Sequence, residues 1–315
     1  MKAAQITKYG DAGMVVITPD VPRPSPGKGA VLVEVHAASL NPADWAIRMG
    51  YMHQMMPLRF PATLGIDIAG VVVEADPTAT HLKAGDRVYG TASVMGGGSG
   101  AFAEFATAQA GSLALAPAKL TFPEAAALPL AGVSALQALY EILKLGRGNK
   151  VLIQGGSGGI GTFAIQMAKQ LGARVVATCR GSAAAYVRSL GADEIIDFEK
   201  DAFPGNLSGF DAVFDTAGGA AYKNLFAVLK KGGTLVSMSV QPDAELAAKY
   251  GVTASAMMTG VTTERLNRLS RLVADGAIQI HVDRVFPFDK VKDAFLAREA
   301  GHVKGKIVLQ MRKEN

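Results

Sequence analysis

Over the first 120 residues the apolar positions come in short runs with a period of two. Val31, Val33 and Val35 fall on one face, with Leu32 and Glu34 between them, after the turn formers Pro26-Gly27; this spacing predicts a strand. A second apolar run, 66–73, is bounded by Gly65 and by Asp76-Pro77, and Gly85-Asp86-Arg87-Val88 reads as a turn into another strand. Short strands spaced in this way predict a compact barrel or sandwich. The run Gly96-Gly97-Gly98-Ser99-Gly100 reads either as a solvated linker or as a loop over a substrate cleft.

Near residue 122 the period changes. Thr121-Phe122-Pro123-Glu124 supplies an N-cap, an early proline and an acid in the first turn of a helix. Val151-Leu152-Ile153 reads as a buried strand, and Ile160, Ala164, Met167, Ala168 and Leu171 share one helical face that ends at Gly172. Strands are expected over 174–178, 194–197, 211–215 and 234–238, with a helix over 183–190 and a turn at Gly232-Gly233. This alternation predicts an α/β chain with a doubly wound parallel sheet and right-handed crossovers. The tail then offers a helix at 264–275, a strand at 282–286, a helix at 290–298 and a strand at 306–310. A chain that leaves its first domain and later returns to it has this pattern.

Composition narrows the class. With 315 residues, 49% hydrophobic and 19% charged, the chain is long enough for two domains and too apolar to be disordered. Its one cysteine, Cys179, permits no intrachain disulfide and no multi-cysteine zinc lobe, which suits a reducing compartment. The most apolar region, 125–140, contains Pro129, Gly132, Ser134 and Gln137, so it reads as buried protein and not as a membrane span. The N-terminal residues lack the apolar core of a signal peptide, and a soluble cytoplasmic protein is expected. Net charge is +5, but the basic residues are scattered and no Lys/Arg run reaches five; nucleic-acid binding is not expected.

The chemistry concentrates in Gln154-Gly155-Gly156-Ser157-Gly158-Gly159-Ile160-Gly161, directly after a predicted strand and before a predicted helix. Gly156, Gly158 and Gly161 satisfy G-x-G-x-x-G. In a βαβ unit, Gly156 would permit the tight turn, Gly158 the approach to a pyrophosphate, and Gly161 the close packing of helix on strand. Gly155, Ser157 and Gly159 also match the G-x-S-x-G elbow of hydrolases, which would need a later acid and His281 or His302. The ribose-reading position falls at Thr178-Cys179-Arg180-Gly181-Ser182 and holds no acid. Arg180 suits a phosphate and Ser182 can donate to it, so the cofactor expected is NADPH. Asp215 precedes Ala217 and Gly218, and Ser237-Met238 end the next strand; all four of these last residues would pass close to the cofactor, while Asp215 itself reads equally as a helix cap.

The chain resembles the zinc-independent medium-chain dehydrogenase/reductases of the quinone oxidoreductase, or zeta-crystallin-like, family. The resemblance rests on Ser39-Leu40-Asn41-Pro42-Ala43-Asp44-Trp45, Leu64-Gly65-Ile66-Asp67-Ile68-Ala69-Gly70, Gly85-Asp86-Arg87-Val88, Ala131-Gly132-Val133-Ser134-Ala135, the glycine loop, and His302-Val303-Lys304-Gly305-Lys306-Ile307-Val308-Leu309. It implies a GroES-like β-rich catalytic domain from 1–122 and 263–315, a Rossmann domain from 123–262, a cofactor in the cleft and a homodimer. Zinc-dependent relatives carry Gly-His-Glu where this chain has Gly65-Ile66-Asp67, so no metal is expected.

The resemblance also implies roles. Asn41 would hydrogen-bond near the nicotinamide ribose or the substrate carbonyl, and Ser134 would sit beside the nicotinamide. Asp44, Trp45 and Tyr51 follow on the same segment as Asn41, with Trp45 a wall for a flat ring and Tyr51 a hydrogen-bond or proton donor. The family often has tyrosine where Trp45-Ala46 stands, so water is an alternative donor. The expected reaction is metal-free hydride transfer from NADPH to a quinone or an α,β-unsaturated carbonyl, small molecules whose π-systems take up the charge. A 2-alkenal reductase with little quinone activity and a non-catalytic NADPH-binding protein are the alternatives.

Overall fold

The computed structural model describes residues 1–55, 57–200 and 207–312. The chain forms two compact units, Met1–Leu130 with Val261–Ala274 and Ile280–Asn315, and Ala131–Gly260 with Asp275–Gln279.

The second unit is built on six parallel strands among the described residues. In space they run Glu194–Asp197, Arg174–Cys179, Lys150–Gln154, Phe210–Asp215, Leu229–Ser237 and Thr253–Ala256. In chain order this is 3-2-1-4-5-6, the doubly wound dinucleotide-binding order. Parallel sheets are covered on both faces, so their strands are apolar throughout: Val151, Leu152, Ile153, Val175, Val176, Val213 and Phe214 are fully buried. The helix Gly159–Gln170 buries Phe163 and Ile165 as well as Ala164, Met167 and Ala168, a wider stripe than the expected face; Ile160 and Leu171 are only half-buried. The strand Thr253–Ala256 escaped the sequence reading because its residues, Thr-Ala-Ser-Ala, are small and partly polar at the sheet edge.

The first unit holds a seven-stranded sheet, in the order Val282–Pro287, Lys306–Gln310, Ala30–Leu40, Asp67–Ala75, Arg87–Thr91 and Leu113–Leu115, with Phe105–Gln109 also pairing to Ala30–Leu40. Among the described residues of this sheet, only the pairing of Val282–Pro287 with Lys306–Gln310 is parallel. Val31, Val33 and Val35 point into a core with Ile68, Val72, Val88, Phe102, Phe295, Ile307 and Leu309. Leu32 is buried too.

The helix Phe122–Ala127 opens as expected: Thr121 and Glu124 close a capping box, with the Thr121 N–H donating to Glu124 Oε2 at 2.9 Å. It was expected to begin the dinucleotide-binding domain, but it packs on Ala30–Leu40, Asp67–Ala75 and Lys306–Gln310 and so groups with the first unit.

The glycine cradle, the strand ends and a buried polar cluster

The turn that opens the glycine loop sits at Gly155, whose φ is +82°, and not at Gly156 as the spacing suggested. A Cβ on Gly155 would lie 2.6 Å from Thr216 Oγ1. Gly156 instead allows close packing, since its Cβ would lie 3.0 Å from Ala177 Cβ and 3.2 Å from Ile165 Cδ1. At Gly161 a Cβ would overlap the Gly155 carbonyl oxygen and lie 2.7 Å from Gly156 Cα, which accounts for the third glycine.

Gly158 differs. A Cβ there meets nothing nearer than Gly155 O at 3.5 Å, so the protein's own packing does not demand glycine. Gly158 is the N-cap of Gly159–Gln170, and no side chain caps that helix. The first-turn N–H groups, including those of Gly159, Ile160 and Gly161, could therefore hold an anion, with Ser157 beside them. The hydrolase reading lacks a base in this unit: all five histidines, His36, His53, His81, His281 and His302, belong to the first unit.

Thr178 ties the second strand to the loop. Its hydroxyl accepts from the Gly155 N–H at 3.1 Å and its carbonyl from the Gly156 N–H at 2.8 Å. Cys179 is buried, and burial followed by the Asp197 charge pushes its thiol up, as befits a strand residue and not a nucleophile. Arg180 is partly exposed and Ser182 exposed. Arg180 has company that local sequence does not show: its Nη1 lies 3.4 Å from Glu199 Oε1, and Asp197 is in register with Cys179.

Asp215 caps the loop after its own strand. Its Oδ1 accepts from the N–H groups of Ala217 at 3.0 Å and Gly218 at 2.7 Å, and its Oδ2 from Ser237 Oγ at 2.8 Å. Ser237 Oγ also accepts from the N–H groups of Ser239 and Val240, so the backbone around half-buried Met238 is held in place. Gln154 donates to the Gly218 carbonyl at 2.6 Å, while its Oε1 is buried with no partner. Ser134 is fully buried, its Oγ 2.6 Å from Thr259 Oγ1.

In the first unit, Asn41 and Asp44 sit in a cluster with Asp67 and Lys306, all at least 96% buried. Asn41 uses both ends of its amide internally: Nδ2 donates to Asp67 Oδ2 at 2.8 Å, and Oδ1 accepts from Lys306 Nζ. Asp67 also accepts from Ser39 Oγ at 2.9 Å and the Leu130 N–H at 3.0 Å, and Lys306 Nζ donates to the Leu40 carbonyl at 3.0 Å. Asp44 Oδ2 accepts from the Asn41 N–H at 2.8 Å, but its Oδ1 is buried with no partner. Burial pushes the Asp44 carboxyl up to about 7; the Asn41 N–H opposes this, Asp67 adds to it and Lys306 opposes it. Burial likewise raises Asp67 and lowers Lys306, each drawn back by the other's charge. Trp45 and Tyr51 meet edge to face, ring centroids 5.1 Å apart, with Tyr51 65% exposed.

Lys306 was missed as a site residue. Its signals in the sequence are its place in the motif 302–309 and a charge at the start of a mostly apolar strand after Gly305. Asp67 stands in the motif 64–70 that carries the family resemblance, but nothing in that motif marks it as a partner of Asn41. In the structure its Oδ2 is held by Ser39, Asn41 and Lys306 and its Oδ1 by the Leu130 N–H. Among the described residues no three His, Cys, Asp or Glu side chains gather as a metal would require, so the donors do not fit zinc.

The glycine run 96–100 is not a solvated linker. A Cβ on Gly98 would overlap the Ala92 backbone, and one on Gly100 the Thr63 backbone. Val94 and Ser99 line a cavity of about 370 Å³ with Leu58, Arg59, Pro61 and Thr63.

Two family models match. The one described as "Alcohol dehydrogenase GroES-like domain" covers residues 27–118, and "Zinc-binding dehydrogenase" covers 190–309. A chloroplast envelope quinone oxidoreductase homolog of Arabidopsis thaliana is 35% identical over 98% of both chains. A 2-methylene-furan-3-one reductase of Solanum lycopersicum is 34% identical, covering 98% of this chain and 79% of its own. A mycobacterial protein solved in complex with NADPH superposes with a TM-score of 0.88 at 30% identity, over 98% of this chain and 99% of that one. With a GroES-like unit, a Rossmann sheet and whole-length relatives of this kind, the chain belongs to the medium-chain dehydrogenase/reductases, in their quinone oxidoreductase family.

Proposed function

We propose that this protein is an NADPH-dependent oxidoreductase that delivers a hydride to a quinone or an α,β-unsaturated carbonyl, with no metal step. The observation that carries the reading is the uncapped helix start at Gly158, where an added Cβ would make only ordinary contact with the protein. Gly156, Ser157, Gly158, Gly159, Ile160 and Gly161 would hold the pyrophosphate, and Arg180 and Ser182 the 2′-phosphate, behind Thr178. Ala217, Gly218, Ser237, Met238 and Ser134 would line the rest of the dinucleotide. Bound NADPH supplies the hydride.

The chain's own residues orient and exclude water. Asp67 and Lys306 lock the Asn41 amide, so the segment that begins at Asn41 is rigid where it turns into the helix Pro42–Met49. Trp45 offers an apolar face to a flat acceptor, and the exposed Tyr51 hydroxyl is the candidate hydrogen-bond or proton donor. A quinone or enone spreads the incoming charge over its π-system, so fixed dipoles suffice where an alcohol would need a Lewis acid. A homodimer in the cytoplasm completes the reading.

The test is NADPH oxidation across a panel of quinones and enones, with Arg180→Ala as control. Turnover of at least one class, with a raised NADPH KM in Arg180→Ala, supports the assignment; an unchanged KM overturns the phosphate site. The tomato relative's printed activity favours a second reading, an enone reductase with little quinone activity. The ratio of kcat/KM for the two classes separates them.

A further inference from the structure

Arg180 is the cation placed to meet a 2′-phosphate, yet the fold surrounds it with balanced charge. The strand Glu194–Asp197 pairs with Arg174–Cys179 so that Asp197 lies beside Cys179. A Cβ on Gly181 would overlap the Asp197 carboxylate, so the acid presses against the loop that follows the second strand. Glu199 reaches Arg180 Nη1 at 3.4 Å, and Lys200 Nζ lies 3.8 Å from Asp197 Oδ2. Two cations, Arg180 and Lys200, thus face two carboxylates, Asp197 and Glu199, and these four described residues balance in charge.

The two acids differ in freedom. The Asp197 side chain is 16% exposed and also accepts from the Glu199 N–H at 3.2 Å. It belongs to the fold. The Glu199 side chain is 49% exposed and pairs with a guanidinium that is itself 38% exposed. A 2′-phosphate carries negative charge and needs the same guanidinium, so it must compete with Glu199 and bear its repulsion. A ribose with a free 2′-hydroxyl carries no charge and meets neither cost.

We infer that Glu199 is a specificity-determining residue that holds down the preference for NADPH over NADH by competing with the 2′-phosphate for Arg180. The inference rests on the dinucleotide reading above and sharpens it. The end of the second strand itself holds no acid; the opposing carboxylate comes from beyond the third.

The test is direct binding, by the change in nicotinamide fluorescence, of NADPH and NADH to the wild type, Glu199→Gln, Arg180→Ala and the double variant. Glu199→Gln should lower the NADPH Kd about two- to fivefold, as an exposed ion pair allows, and leave the NADH Kd nearly unchanged. The gain should shrink as salt rises, and it should be smaller on the Arg180→Ala background, where only direct repulsion remains. Weaker NADPH binding in Glu199→Gln, or an equal shift for both nucleotides, overturns the inference while leaving the dinucleotide site intact. A wild type that binds neither nucleotide overturns both.

Discussion

Asp44 carries a carboxyl whose ordinary value of 3.8 is pushed up to about 7, chiefly by burial. The groups that face it or its partners are Asp67, Lys306 and, through Lys306, Arg298. Because its folded-state value lies above the unfolded one, the native protein holds the proton more tightly. The stability linked to Asp44 is complete at acid pH and is lost as pH rises toward and through 7. Asp44→Asn keeps an acceptor for the Asn41 N–H and never ionises. Its melting temperature relative to the wild type should therefore rise between about pH 5 and about pH 8. Thermal denaturation at both values checks this, and a difference independent of pH refutes it. Asn41 and Asp44 were legible as candidates through the family resemblance. Lys306 was not, because a lysine at the start of a strand reads as an exposed end until the opposite strand brings Asp67 and Asn41 to it.

The strand–loop–helix element Lys150–Gln154 to Gly159–Gln170 separates packing from binding at two glycines. At Gly161 the added methyl of alanine would strike the Gly155 backbone, so Gly161→Ala should cost about 1–3 kcal/mol of stability, measured by denaturant unfolding. At Gly158 the same methyl meets only ordinary contact. Gly158→Ala should change stability by less than about 0.5 kcal/mol while weakening NADPH binding about tenfold, read by titration. Equal loss of stability at both positions would show that the loop is only a structural turn. The elements themselves were legible because buried parallel strands are apolar throughout and their helices carry a 3.6-residue stripe. The position of the turn was not: Gly155 takes the positive φ, and a side chain there would meet Thr216 and Ala217, which follow a strand far later in the chain.

At the scale of the whole chain, a return to the first unit after the parallel sheet was visible in the order of elements. What local sequence could not show was the pairing of distant segments. Asp197 comes beside Cys179, and Glu199 reaches Arg180, through the register of two strands, and the helix Phe122–Ala127 joins the first unit through the strands it covers. Among the described residues no helix is long and apolar enough to cross a membrane. Ligand linkage gives a global prediction: NADPH at about 100 times its Kd should stabilise the protein by about 2.7 kcal/mol, seen as a rise in melting temperature. NADH at the same concentration should give a smaller rise.

The most direct test of metal-free hydride delivery is the steady-state rate of NADPH oxidation with quinone and enone acceptors, before and after exhaustive chelation. Undiminished turnover after chelation, with deuterium recovered on carbon of a reduced enone when NADPH deuterated at the transferred position is supplied, is the predicted result. Turnover that disappears with the chelator and returns with zinc, or bound NADPH that no such acceptor oxidises, would contradict it.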